Sequence, residues 1–98
     1  MSLPTDLAQL RVTAPVFAAL GDTTRLRLLA RLQDGEAHAI VDLTEGSGLS
    51  RQAISKHLAI LHNAGLVRHQ RVGRESRYLF HTQGIDRART YLETASAQ

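Results

Sequence analysis

The chain has 98 residues with a formal net charge of +3, 43% hydrophobic residues and no cysteine. That length suits one domain with a small core, whose apolar surface a second subunit can complete. The missing cysteines exclude disulfides, thiolate chemistry and cysteine-based metal sites, and no apolar run is long enough for a membrane span or shaped like a signal peptide, which fits a cytoplasmic protein.

The charge is unevenly placed. Residues 1–50 hold four arginines against six acids, whereas residues 51–98 hold eight Lys/Arg against Glu75, Asp86 and Glu93. A positive field in one half suits a polyanionic partner, with nucleic acid the leading candidate, although a solvated charged surface shows the same imbalance.

In chain order, a helical segment is expected from about Thr5 to Leu20, broken near Pro15, with Leu7, Leu10, Val16, Phe17 and Leu20 apolar and Gly21 at its end. Asp22 caps the next helix, Thr23 to about Gln33, which buries Leu26, Leu29, Ala30 and Leu32 and turns Arg25, Arg27 and Arg31 outward. Asp34–Gly35 ends it. A short helix from about Ala39 to Glu45 follows, with Ile40 and Leu43 inward, and then the turn Gly46–Ser47–Gly48.

Ser50 is the expected N-cap of a helix over 50–64. Ala53, Ile54, Leu58 and Leu61 make one apolar stripe. The opposite face carries Arg51, Gln52, Ser55, Lys56 and Ala59, with no acid and no bulky apolar group. Long donors and small polar groups of this kind reach phosphates and base edges. An ordinary amphipathic surface helix has the same periodicity. The short turn before this helix and the basic hairpin after it favour a helix-turn-helix. Gly65 closes the helix.

Residues 66–81 read as a β-hairpin turning at Gly73, with Arg68, Arg71, Arg74 and Arg77 around it. Such a hairpin is a wing whose arginines touch backbone or minor groove, or an edge that uses charge against aggregation. Gly84 introduces a last helix, Ile85 to about Thr94, with Ile85, Ala88, Leu92 and Ala95 available to the N-terminal helix of a partner chain. No paired carboxylates in an apolar context, phosphate loop or nucleophile–base arrangement is present, and Ser55 and His57, two apart, do not face one another on a helix. No enzyme activity and no cofactor are expected.

The runs FAALGDTTRLRLLARL (17–32) and LSRQAISKHLAILHNAGLVRHQRVGRESRYLF (49–80) resemble the ArsR/SmtB family of bacterial transcriptional repressors. The resemblance covers roughly 15–81. It is most specific at Ser55–Lys56–His57–Leu58, Leu61 and Ala64–Gly65–Leu66–Val67. Thr23 departs from it, since the family commonly has proline after the aspartate. The resemblance implies a mainly α winged helix-turn-helix with a small β-hairpin, in the order α-α-α-α-β-β-α. It implies one domain over 1–98, a homodimer joined through its first and last helices, and a repressor that occupies a palindromic operator on double-stranded DNA. The DNA-contact candidates are then Ser50, Arg51, Gln52, Ser55, Lys56 and His57 on the helix and Arg71, Arg74 and Arg77 on the wing. Gln52 is the leading base reader, because an amide pairs bidentately with adenine, while Arg51 and Lys56 suit phosphates. His57 is equally suited to packing.

Many family members sense metals. In the motif ELCVCDL the two cysteines are ligands; here Ala39 and Val41 stand in their places within Ala37–Leu43. A second family site on the last helix needs histidine, and residues 84–98 keep Asp86 and Glu93 without one. His38 and Asp42, four apart, could share a helix face but are too few. No metal is expected and the effector stays open. The alternatives are a winged-helix module that binds protein, or a repressor responding to metal through histidines.

Overall fold

The computed structural model describes residues 6–97. Its elements run α1 (Leu7–Leu20), α2 (Thr23–Arg31), a 3-10 turn (Leu32–Asp34), β1 (His38–Ala39), α3 (Ile40–Thr44), α4 (Arg51–Asn63), β2 (Val67–Val72), β3 (Glu75–Phe80) and α5 (Thr82–Ser96). The strands form one antiparallel sheet in the order β1-β3-β2. The helical order and the hairpin are as expected. The short strand β1 is an addition that two residues are too few to announce by alternation.

Helix α1 is continuous through Pro15, so the expected break does not occur. Pro15 faces solvent while Val16 and Ala19 are fully buried. The carbonyl that loses its donor, that of the exposed Arg11, lies where water can reach it. Asp6 caps the helix by accepting the Ala8 N–H at 2.9 Å; the expected first residue, Thr5, lies outside the described residues.

Asp22 caps α2 through the Arg25 N–H at 3.0 Å. The buried side of α2 is Leu28 and Leu29, continued by Leu32. Leu26 and Ala30, expected inside, are exposed. Each stands two positions from Leu28, about 200° around a helix that turns roughly 100° per residue. Two arginines of α2 are not simply outward. The guanidinium of Arg31 donates to the carbonyls of Asp42 at 2.8 Å and Leu43 at 2.9 Å, closing the last turn of α3. Arg25 is engaged as well, its Nε donating to the Ala19 carbonyl of α1 at 2.8 Å.

Ser50 Oγ accepts the Ala53 N–H at 3.1 Å, and Ile54, Leu58 and Leu61 of α4 are fully buried. These side chains, with Leu32, Leu43 and Leu66, centre the core between α2, α3, α4 and the base of the hairpin. Each buried leucine or isoleucine contributes about 1.5–3 kcal/mol of apolar burial. In the hairpin, Val67 pairs with Phe80 and Val72 with Glu75, and Gly73 takes φ 62° at the first of two linking positions. Type II′ turns favour glycine at that position.

Helix α5 begins at Thr82, earlier than expected, so Gly84 lies inside it rather than before it. The Gly84 N–H, an orphan of the first turn, donates to the Gly65 carbonyl at 2.8 Å. A Cβ at Gly84 would stand 2.6 Å from the Ala64 carbonyl oxygen. The stripe expected to serve a partner is partly used within the chain, since Ala88 is buried; Tyr91, outside that stripe, meets Phe17 of α1 edge-on at 5.7 Å. Leu92 remains exposed beside Leu20 and Ile85.

Candidate nucleic-acid interface

Helix α4 turns Arg51, Gln52, Lys56 and Ala59 to solvent and holds Ser55 and His57 half-buried. Its burial pattern dictates this, since Ile54, Leu58 and Leu61 commit the opposite side to the core. Near its N-terminus Arg51, Gln52 and Ser55 line a groove whose other wall is Glu75 and Ser76 of β3, with Ala39–Val41 at its end. The recognition helix and the wing therefore share one concave surface. Ser50 sits at its start, its oxygen occupied as a cap.

On the wing, Arg71 pairs across the sheet with Ser76 and Arg77 with Gln70. Arg68, Arg71 and Arg74 are exposed and, among the described residues, have no acidic partner. Arg77 differs: its Nε donates to Glu75 Oε1 at 2.6 Å. One wing arginine is thus paired with the only acid of the basic stretch 51–77, while among the described residues Arg51, Lys56, Arg68, Arg71 and Arg74 have no acidic partner.

His57 turns the other way from Gln52 and Lys56. Its Nδ1 lies 3.2 Å from an Arg25 guanidinium nitrogen and 3.9 Å from Asp22 Oδ2. The Asp22 carboxyl is held below the usual aspartate range, first by the Arg25 backbone N–H, against the opposing cost of burial, and then by the charge of Arg25. Asp34 is lowered likewise, first by the Glu36 N–H and then by His38. His38 lies in β1 and not on a helix, so it does not share a face with Asp42; its Nε2 meets Asp34 at 2.8 Å instead. Among the described residues no three His, Asp or Glu side chains gather as a metal site, and no helix is long and apolar enough to cross a membrane.

The engagement of Arg25 and Arg31 and the presence of Glu75 in the groove were not foreseen from sequence. Their partners are set by packing between elements, and neither periodicity nor a local motif signals them.

A helix-turn-helix, a reading helix with a non-acidic outer face and a basic hairpin beside it define a winged helix-turn-helix DNA-binding domain. The family model described as "Bacterial regulatory protein, arsR family" matches residues 22–69. The HTH-type transcriptional regulator YuzN of Bacillus subtilis is 35% identical over 76 residues, covering 71% of this chain and 83% of that protein. A transcriptional repressor SmtB homolog of Synechocystis sp. is 39% identical over 73 residues, covering 74% of this chain and 54% of that protein, so the chain spans about half of the latter's length. Among solved structures, an ArsR-like transcriptional regulator from Rhodococcus sp. RHA1 superposes with a TM-score of 0.84 at 35% identity, covering 95% of this chain and 84% of that one. The homodimeric winged helix-turn-helix DNA-binding domain of Mb0332 from Mycobacterium bovis, a possible ArsR-family regulator, gives 0.73 at 28% identity, covering 99% and 89%. The chain belongs to the ArsR family of bacterial transcriptional regulators.

Proposed function

We propose that this chain is a homodimeric, sequence-specific repressor that acts in the cytoplasm by occupying a palindromic operator, and that no metal is its signal. The observation that carries this reading is the shared groove of α4 and β3, lined by Arg51, Gln52 and Ser55 on the helix side, with Arg51, Lys56, Arg71 and Arg74 exposed. Gln52 reads a base. Arg51, Lys56, Arg71 and Arg74 neutralise phosphates, and Ser50, Ser55 and Arg77 complete the contact surface. Two copies joined through α1 and α5 would place two α4 helices in major-groove half-sites about one DNA turn apart. The Mb0332 domain is homodimeric, and Leu20, Ile85 and Leu92 leave an apolar groove on that side of this chain. The absence of metal sensing is supported by Ala39 and Val41, neither of which can ligate.

The test is fluorescence anisotropy with a duplex enriched by the protein from a randomised library, against a scrambled duplex, over a range of salt and with and without zinc. Selective binding that falls steeply with salt and ignores zinc is expected. Selective binding that zinc abolishes overturns the non-metal reading. Failure to enrich any duplex overturns the DNA-binding reading in favour of a protein partner.

A further inference from the structure

Arg25 makes three contacts that join three helices. Its Nε donates to the Ala19 carbonyl at 2.8 Å, one terminal nitrogen donates to the Ala18 carbonyl at 3.3 Å, and the other lies 3.2 Å from His57 Nδ1. Ala18 and Ala19 belong to the last turn of α1, where carbonyls lack the donor four residues on and the helix dipole is negative; the Ala18 carbonyl also accepts the Gly21 N–H at 3.3 Å. A guanidinium has donors only, so Nδ1 of His57 is the acceptor and the ring carries its proton on Nε2. The charged groups facing the ring are Arg25 itself and Asp22, the cap of α2. On the far side, α1 is packed through Phe17 against Tyr91 of α5.

We propose that Arg25 is a positioning residue for DNA reading: it locks His57, and so the rotation of α4, to the C-terminus of α1. This rests on the DNA-binding reading above. Its consequence is geometric. Gln52, Ser55 and His57 are fixed on one rigid helix, and a bidentate amide contact to a base tolerates little rotation of that helix. Phosphate contacts made by long, flexible side chains tolerate far more. Arg25 also makes the placement of α4 depend on α1, one of the two helices assigned to the dimer.

The experiment compares His57→Ala, His57→Asn and the double variant Arg25→Ala/His57→Ala, each first checked for folding by circular dichroism. Asparagine places a carbonyl oxygen where Nδ1 stood and keeps the acceptor without the ring. His57→Ala should bind the enriched duplex on the order of tenfold more weakly, the scale of an ordinary coupling between sites, while binding to scrambled duplex is unchanged. His57→Asn should restore the wild-type value, and the double variant should bind no more weakly than His57→Ala. If His57→Asn is as weak as His57→Ala and the Arg25 loss adds to it, the ring itself touches DNA and the positioning role is overturned. Equal loss on both duplexes overturns it as well. The nitrogen NMR spectrum of the wild-type imidazole gives a check that needs no DNA: an unprotonated Nδ1 is expected, and a protonated Nδ1 removes the clamp. A wild-type chain that enriches no duplex overturns the DNA reading and the positioning role with it, and that same spectrum then tells whether the clamp exists on its own.

Discussion

At Gly84 a methyl group would meet the Ala64 carbonyl oxygen at 2.6 Å and the Leu66 side chain at 3.0 Å. Neither neighbour is a flexible tip: one is backbone and the other a fully buried leucine. Gly84→Ala should therefore destabilise the fold by about 1–3 kcal/mol, as overpacking does, seen as a lower urea midpoint at unchanged slope. Asp22 and Asp34 have carboxyls lowered by the N–H groups of Arg25 and Glu36. A lowered folded-state pKa means that the stabilisation is complete above the ordinary value of 3.8 and is lost as pH falls through the lower, folded value. Asp22→Asn should accordingly show a smaller fall in melting temperature between pH 5 and pH 2 than the wild type; an identical fall would remove Asp22 from that dependence. The caps at Asp22 and Ser50 were readable beforehand because a cap bonds within three residues of itself. Arg25 and His57 were not, since 32 positions separate them.

Helices that met a clear apolar period came out as expected, and those governed by a single unusual residue did not. Proline inside α1 was read as a break, but the helix has Val16 and Ala19 in the core on one side and Pro15 in water on the other, so tertiary burial outweighs one missing hydrogen bond. Pro15→Ala restores that bond and should stabilise the protein by about 2 kcal/mol, the interior helix cost of proline less the unfolded-state advantage it loses, measured as a raised melting temperature. In α2 and the 3-10 turn that follows it, four leucines and an alanine allow more than one stripe, and the choice of Leu28, Leu29 and Leu32 over Leu26 and Ala30 is made by what this segment packs against. In α5, Gly84 was taken for a start signal. Its purpose is a close approach to the α4–β2 corner, which no local pattern reveals.

Across the whole molecule, the outward face of α4 and the wing come to share one groove because β3 folds back beside the N-terminus of α4. Gln52→Ala should lower affinity for the enriched duplex while leaving the scrambled one alone, and Arg74→Ala should weaken both alike with a salt slope shallower by about one. Equal losses on both duplexes for Gln52→Ala would remove its role in base reading. A dimer at working concentration by light scattering is expected from the exposed Leu92 beside Leu20 and Ile85; a monomer would separate the domain from its proposed mode of operator binding. The helix-turn-helix, the wing and the outward face of α4 followed from residue order, because caps, glycine turns and a 3.6-residue apolar period are local properties, while the family followed from the resemblance carried by residues 17–32 and 49–80. The sheet's third strand, the stripe chosen by α2, the course of α1 through Pro15, and the ties of Arg25 and Arg31 depend on which surfaces meet. Contacts between residues far apart in the chain exist only once the core has closed, so the tertiary structure alone decided them.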